Sequence, residues 1–123
     1  MEYDNNIPIY LQVMNRIKKD MIQGKLPMGA KLPSTRELAI QYHINPNTAV
    51  RIYREMEQQN MCFTKRGLGT FVTEDAAVFT SMRESMADEL LDNFVQEMKD
   101  LGFSKEELIH VVSARFEKEK QED

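Results

Sequence analysis

A row of hydrogen-bond donors follows one side of the segment NPNTAVRIYREMEQ, residues 45–58. Its members are spaced as one face of a helix requires, and they are Asn47, Arg51, Arg54 and Gln58. An asparagine can bond adenine through two hydrogen bonds, an arginine can do the same to guanine, and the Thr48 hydroxyl or methyl can meet a base edge. The pattern therefore favours a face that reads bases and phosphates, and the alternative is an ordinary solvated helix surface.

The start of this segment has the residues of a well-defined helix N-terminus. Asn45 is a preferred N-cap, and Pro46 fits the first helical position because it has no N–H to leave unpaired. The opposite stripe, Ala49, Ile52, Tyr53 and Met56, is apolar and is predicted to be the buried face. We also expect a positive helix dipole and unpaired N–H groups in the first turn, which would suit a phosphate.

A second cationic group lies in the segment Lys65-Arg66-Gly67-Leu68-Gly69, between two short runs rich in β-branched and aromatic residues. This pattern predicts a β-hairpin whose glycines adopt positive φ at the tip. Two cations at such a tip suit a phosphate ridge or a minor groove, and the alternative is a solvated tight turn. Arg36, which follows Ser34 at a helix start, could also reach DNA, or instead pair internally with Glu37 or Glu55.

The elements that must position these residues can be predicted in order. Apolar residues recur at helical spacing from Pro8 to Gln23, and the pair Ser34 and Glu37 forms a capping box for a short second helix. The residues His-Ile-Asn then form a three-residue turn into the third helix, which runs to about Gln59. Three helices followed by a hairpin predict a winged helix-turn-helix over residues 1–74, in a chain that is mainly α with one small β-hairpin.

Residues 75–123 are predicted to form two further helices that serve as a C-terminal dimerisation segment. One spans about residues 76–101, and the other begins at Ser104 with a second capping box to Glu107. So short a segment cannot enclose a large core, so its apolar stripe must be covered, most simply by a second copy of the chain. The predicted interface residues are Phe79, Met82, Met86, Leu90, Phe94, Met98, Leu108, Val112 and Phe116. The alternatives are a stripe folded back on its own winged helix and a small hydrophobic ligand at the dimer seam.

The charge of the chain is unevenly distributed. Its net charge is −4, but residues 1–73 carry ten Lys and Arg against six Asp and Glu, whereas residues 74–123 carry six against fourteen. This division favours a cationic part that binds an anion such as double-stranded DNA, and an acidic part that does not.

Other features argue against different classes of protein. A single cysteine, Cys62, allows no internal disulfide, and the first ten residues do not resemble a secretory signal, so we expect a cytoplasmic protein. No apolar run is long enough to span a bilayer, and no membrane partner is expected. The two histidines lie far apart in sequence, and no phosphate-binding glycine loop occurs, so we expect no enzyme, no metal site and no cofactor. Cys62 lies in an apolar run and is interpreted as an inert buried thiol.

Three motifs in the right order and spacing, KLPSTRELA, NPNTAVRIYREME and KRGLGTFV, resemble the DNA-binding domain of the GntR family of bacterial transcription regulators. The short two-helix tail and the Asn-Pro-Asn-Thr start are similar to the YtrA-type subfamily. The resemblance implies a homodimeric repressor of a small operon, often one encoding a transporter, bound to a palindromic operator. By position it assigns DNA contacts to Arg36, Asn45, Pro46, Asn47, Thr48, Arg66 and Gly67.

The chain departs from the family pattern at several positions. The family's usual recognition-helix arginine aligns with Val50, so Arg51 is predicted from the helix face alone, and Lys65 from the hairpin tip. His43 and Asn60 stand where glycine is common, and we expect both to adopt positive φ in turns. Two other functions remain open at this point: a winged helix that docks an acidic protein, and a metabolite sensor gated by a ligand in the tail.

Overall fold

The computed structural model describes residues 1–122, with side chains described up to residue 120. Within residues 1–122 it contains five helices and two strands: α1 (Ile9–Ile22), α2 (Thr35–Tyr42), α3 (Pro46–Gln58), β1 (Cys62–Lys65), β2 (Gly69–Val72), α4 (Ala76–Asp100) and α5 (Lys105–Glu122). The predicted fold class, mainly helical with one antiparallel hairpin, is confirmed. None of these helices combines the length and apolarity that a bilayer crossing needs.

The chain divides into two compact units, of which the first is Met1–Arg83 and the second begins at Glu84. The first unit contains α1 to α3, the hairpin and the first two turns of α4. The sequence placed the boundary between residues 74 and 75, at the end of the hairpin.

The core of the first unit forms where the apolar stripes of α1, α2 and α3 meet. Each helix is amphipathic. Its apolar residues recur at helical spacing and face this core, and its polar residues lie on the other side. The buried residues include Val13, Met14, Ile17, Met21, Leu38, Ala39, Ala49, Ile52, Tyr53 and Met56. The buried stripe predicted for α3 is therefore confirmed.

Local hydrogen bonds and backbone angles fix the ends of α2 and α3. The Glu37 N–H donates to Ser34 Oγ at 3.1 Å, and the Ser34 N–H donates to Glu37 Oε1 at 2.9 Å, which completes the predicted capping box. The Ser34 N–H that donates to the Glu37 carboxylate, and after it the Ser34 side chain, lower the pKa of Glu37. His43 and Asn60 have φ values of 54° and 61°, as expected for residues that end helices in the left-handed conformation.

The hairpin is joined by one extended segment that the sequence did not predict. Strands β1 and β2 pair antiparallel with Cys62 opposite Val72, and the segment before α2 adds a third short extended piece beside β2. There the Leu32 N–H donates to the Thr70 carbonyl and the Val72 N–H donates to the Ala30 carbonyl, each at 2.8 Å. The sequence indicated only a sharply turning loop at this place, because two prolines and two glycines obscure any strand pattern.

Helix α4 has the predicted bounds to within one residue, and α5 begins directly after the predicted cap residue Ser104. The second capping box is present, since Ser104 Oγ accepts from the Glu107 N–H and Glu107 Oε1 accepts from the Ser104 N–H, both at 3.2 Å. Met82 requires a correction, because it is only 3% exposed within the first unit. It is a core residue of its own chain, so at this position the folded-back alternative holds and little of the side chain is left for a partner.

The capping box on α2 gives the first testable prediction. Ser34→Ala removes the acceptor for the Glu37 N–H, and we expect it to lower the free energy of unfolding of the first unit by about 1 kcal/mol. Urea unfolding and amide hydrogen exchange in α2 measure the effect. The matched control is Ser104→Ala, which removes the same bond from α5 and should accelerate exchange in α5 only. Unchanged exchange in α2 of Ser34→Ala would contradict a stabilising cap.

Candidate nucleic-acid interface

The first turn of α3 presents two polar side chains to solvent. Asn45 Oδ1 accepts from the Asn47 N–H at 2.8 Å, and Pro46 occupies the first helical position, as predicted. Asn47 is exposed and Thr48 is half-buried. Because the buried stripe lies on the other side of the helix, these side chains are free to contact another molecule.

The backbone amides of this turn do not behave as predicted. Besides the Asn47 N–H, which the cap takes up, the N–H groups of Thr48 and Ala49 donate to the Asn45 carbonyl at 2.9 Å and 3.2 Å. The prediction of unpaired N–H groups in the first turn is therefore wrong: Asn45 satisfies the amides through both its side chain and its carbonyl. The helix dipole remains, but side chains must supply the hydrogen bonds to any ligand.

The exposed stripe of α3 continues through Arg51, Arg54 and Gln58. Arg51 already has partners, since its Nε donates to Glu55 Oε1 at 3.1 Å and its Cζ lies 3.6 Å from the ring centroid of Tyr10. Tyr10 belongs to the first turn of α1, so this contact also joins the two helices.

Arg36 is exposed in the first turn of α2. The alternative for this residue was an ion pair with Glu37 or Glu55, but Glu37 accepts from Ser34 and Glu55 pairs with Arg51. Within the described part of the chain, neither carboxylate pairs with Arg36. Its guanidinium is therefore available for an external anion.

The two cations of the hairpin tip, Lys65 and Arg66, have different surroundings. Lys65 Nζ lies 5.1 Å and 5.6 Å from the ring centroids of Phe71 and Phe63, so its ammonium group covers this stacked aromatic pair. Arg66 is exposed and has no ion pair among the residues that the structure describes. Gly67 has a φ of 79°, and a Cβ there would meet open space, so its backbone is accessible.

A side-chain hydrogen bond connects the hairpin to α3. Glu57 Oε1 accepts from the Thr64 N–H at 3.2 Å, and α3 also packs against β1. The candidate DNA-contacting residues, Arg36, Asn45, Pro46, Asn47, Thr48, Arg51, Lys65, Arg66 and Gly67, all lie within the first unit and none of them is buried.

Residues 9–72, which include all of these positions, match the family model for bacterial regulatory proteins of the gntR family. The chain belongs to the GntR family. It is 42% identical over 108 residues to the transcriptional regulator YhcF of Bacillus subtilis, a match that covers 88% of this chain and 89% of YhcF. It is 34% identical over 94 residues to the transcriptional repressor YtrA of the same organism, with 72% of each chain covered.

Two solved structures have a similar fold over all or part of this chain. A GntR family transcriptional regulator from Listeria monocytogenes superposes with a TM-score of 0.85 at 37% identity, over 91% of this chain and 98% of that one. AraR(DBD) in complex with operator ORX1 has a TM-score of 0.52 at 30% identity, over 55% of this chain and 81% of that one. This chain is therefore a DNA-binding transcriptional regulator, of a family that is not enzymatic.

The second unit of this GntR regulator carries an open apolar groove of about 810 Å³ between α4 and α5. Five of the residues predicted for the dimer interface line it: Leu90, Phe94, Met98, Val112 and Phe116. Leu108 lines a smaller neighbouring groove instead, Met86 is half-buried on α4, and Phe79 is half-buried in the first unit. The sequence missed Leu91, Phe103 and Val111, which lie beside the predicted stripe on the helices or in the loop between them.

The last candidates are the side chains that could bind a metal ion or react as a nucleophile. Among the described residues, no group of three or more His, Cys, Asp and Glu side chains is arranged to hold a metal ion. Cys62 is buried on β1, and burial raises the pKa of its thiol from 9.0 to about 12, with a smaller contribution from the negative charge of Glu57.

The buried thiol gives a prediction about pH. Because the pKa of Cys62 is higher in the folded chain than in the unfolded one, its stabilising effect is complete below pH 9.0 and is lost as the pH rises toward 12. At pH 8 we expect a thiol-specific reagent to label the folded protein at least a hundredfold more slowly than the urea-unfolded chain, since only the thiolate reacts. Comparable rates in the two states would show that Cys62 is accessible and ionised in the fold.

Proposed function

We propose that this GntR protein is a cytoplasmic repressor of the YtrA-type subfamily that binds a palindromic operator as a homodimer. The match to the repressor YtrA, which covers 72% of each chain, supports the subfamily and the direction of regulation. By the resemblance of the tail to that subfamily, the regulated genes form a small operon of the transporter type. No cofactor takes part, and any small-molecule effector would act through the tail.

The observation that carries this proposal is the exposed first turn of α3. Asn47 and Thr48 are accessible, while the stripe on the far side of the helix is fully enclosed in the core. An amide and a hydroxyl held on a rigid helix end can bond base edges in a major groove, which is wide enough to admit a helix. Asn47, Thr48 and Arg51 are thus assigned to bases.

The remaining candidates are assigned to the DNA backbone. Arg36 and Arg66 offer guanidinium groups that have no ion pair among the residues described by the structure, and Gly67 allows the hairpin tip to approach a phosphate closely. Lys65, the residue before Arg66, adds positive charge to the hairpin, while Asn45 and Pro46 would place the helix start next to the phosphates. The structure of AraR(DBD) with its operator supports this mode of binding, because the same fold binds DNA in that complex.

Asn47→Ala tests the assignment to bases. It removes a side chain that bonds a base edge, and we expect it to weaken binding to the operator by about 1–3 kcal/mol while barely changing the affinity for random duplex DNA. Fluorescence anisotropy with both duplexes at several salt concentrations measures the two affinities. The operator is first selected from a random pool by the wild-type protein.

Arg66→Ala is the matched comparison, because it removes a phosphate contact instead. It should weaken binding to both duplexes alike and reduce the slope of log K against log salt by about 0.9. Equal losses on both duplexes for Asn47→Ala would show that Asn47 reads no base. A wild-type protein that selects no sequence at all would contradict the proposal and favour a winged helix that docks an acidic protein.

The homodimer is proposed from the exposed apolar surface of the second unit. Leu90 and Phe116 are 67% and 71% exposed, although both line the groove between α4 and α5. A soluble monomer seldom leaves so many large apolar side chains in one patch uncovered. A second copy of the same pair of helices is the simplest partner, since two-fold association makes one patch cover an identical one.

Leu90→Asp tests the dimer. A charge in the groove would remain buried and unpaired in a dimer, so we expect a monomer in sedimentation velocity and a loss of operator affinity of at least tenfold. The matched control is Ile109→Asp, because Ile109 is 55% exposed on α5 but does not line the groove. It should leave the dimer intact. A dimeric Leu90→Asp, or a protein that is monomeric before any substitution, would exclude the groove as the interface.

A further inference from the structure

Arg51, in the exposed stripe of α3, is held by one contact from α1 and one from its own helix. Its Nε donates to Glu55 Oε1 at 3.1 Å, one turn further along α3. Its Cζ lies 3.6 Å from the centroid of the Tyr10 ring, a distance at which the guanidinium and the ring are in direct contact. The side chain of Arg51 nevertheless remains 53% exposed.

These two contacts restrict different motions of the guanidinium. Contact with the ring of Tyr10 limits how far the group can swing away from α1, while the bond from Nε to Glu55 limits rotation of the group over the ring. An unrestrained arginine has many rotamers, and ordering it on DNA would cost entropy that these contacts have already removed. The two contacts therefore favour one orientation of Arg51 before any ligand binds.

The same contacts leave part of the guanidinium unused. Only Nε takes part in the bond to Glu55, and among the described residues neither terminal nitrogen of Arg51 has a hydrogen-bond partner. These two nitrogens form the end of the planar fork, and a pair of donors with this spacing matches O6 and N7 of guanine. A phosphate needs no such restriction, because it accepts donors from many directions.

We propose that Tyr10 and Glu55 are positioning residues that hold Arg51 for two hydrogen bonds to a guanine, and so set the preference for guanine at one operator position. Tyr10 makes α1 part of base recognition although it contacts no base itself. This inference rests on the proposed function, because it requires that α3 reads DNA. It also explains why α3 carries the acidic residue Glu55, since a negative charge near DNA would otherwise only repel a phosphate.

The experiment compares two duplexes for each variant of the full chain. Selection from a random pool is repeated with the wild type and with Arg51→Ala, and the guanine whose preference disappears in the variant marks the position. Dissociation constants are then measured for the selected duplex and for one in which that G·C pair is A·T. The ratio of the two constants is the readout, because a purely structural role would change both constants by the same factor.

The wild type should prefer guanine about five- to hundredfold, and Arg51→Ala should bring the ratio near one. Tyr10→Leu and Glu55→Ala should each lower the ratio about two- to fivefold, whereas Tyr10→Phe keeps the ring and should keep the ratio. Glu55→Ala should also bind random DNA more tightly, since it removes a negative charge. Tyr10→Leu combined with Arg51→Ala should lose nothing beyond Arg51→Ala alone.

Several results would overturn the inference. If the wild type selects a consensus but Arg51→Ala leaves every guanine preference in place, the inference fails and the proposed function stands. The same holds if Glu55→Ala and Tyr10→Leu both keep the wild-type ratio, and Glu55→Ala decides alone should Tyr10→Leu fail to fold. A wild type that selects no consensus removes the proposed function and this inference together.

Discussion

The burial of one stripe of α3 is the constraint on which the rest of the interface depends. Ala49, Ile52 and Met56 are 0% exposed, and enclosing a side chain such as Ile52 or Met56 contributes about 1.5–3 kcal/mol. Turning the helix by one residue, about 100°, would withdraw all three from the core at once. The core therefore fixes the rotation of α3, and with it the direction in which Asn47 and Arg51 project. In the proposed interface, recognition of DNA would therefore depend on the packing of this core.

At the start of α3, the groups that complete the helix are separate from those that remain free to bind a ligand. Asn45 satisfies the amides of Asn47, Thr48 and Ala49 internally, so the helix end is complete without a ligand. In the proposed complex this helix end contacts DNA through side chains, which can distinguish one base from another, whereas a backbone amide would bind any phosphate alike. A helix end whose amides are already paired would therefore favour sequence-dependent contacts in that interface.

Local sequence signals predicted most of the fold, and long-range contacts account for what they missed. Capping boxes at Ser34 and Ser104 and the turn residue His43 act over a few neighbouring positions, so the sequence shows them directly. Residues 29–32 pair with β2, which lies far from them in the chain, and no local sequence pattern predicts this pairing. The burial of Met82 and the contact of Arg51 with Tyr10 have the same origin: helical spacing places a residue on a face but does not say which other element lies opposite.

The backbone at Gly69, beside the third extended segment, has a consequence for how this protein can change. Gly69 has a φ of 124°, a backbone conformation that residues with a side chain rarely adopt. A Cβ added there would also lie 2.9 Å from Cε of Lys31, but that carbon is near the end of a flexible side chain and can move away. Shortening Lys31 would therefore not make position 69 accessible to other residues, because the backbone angle itself keeps glycine there.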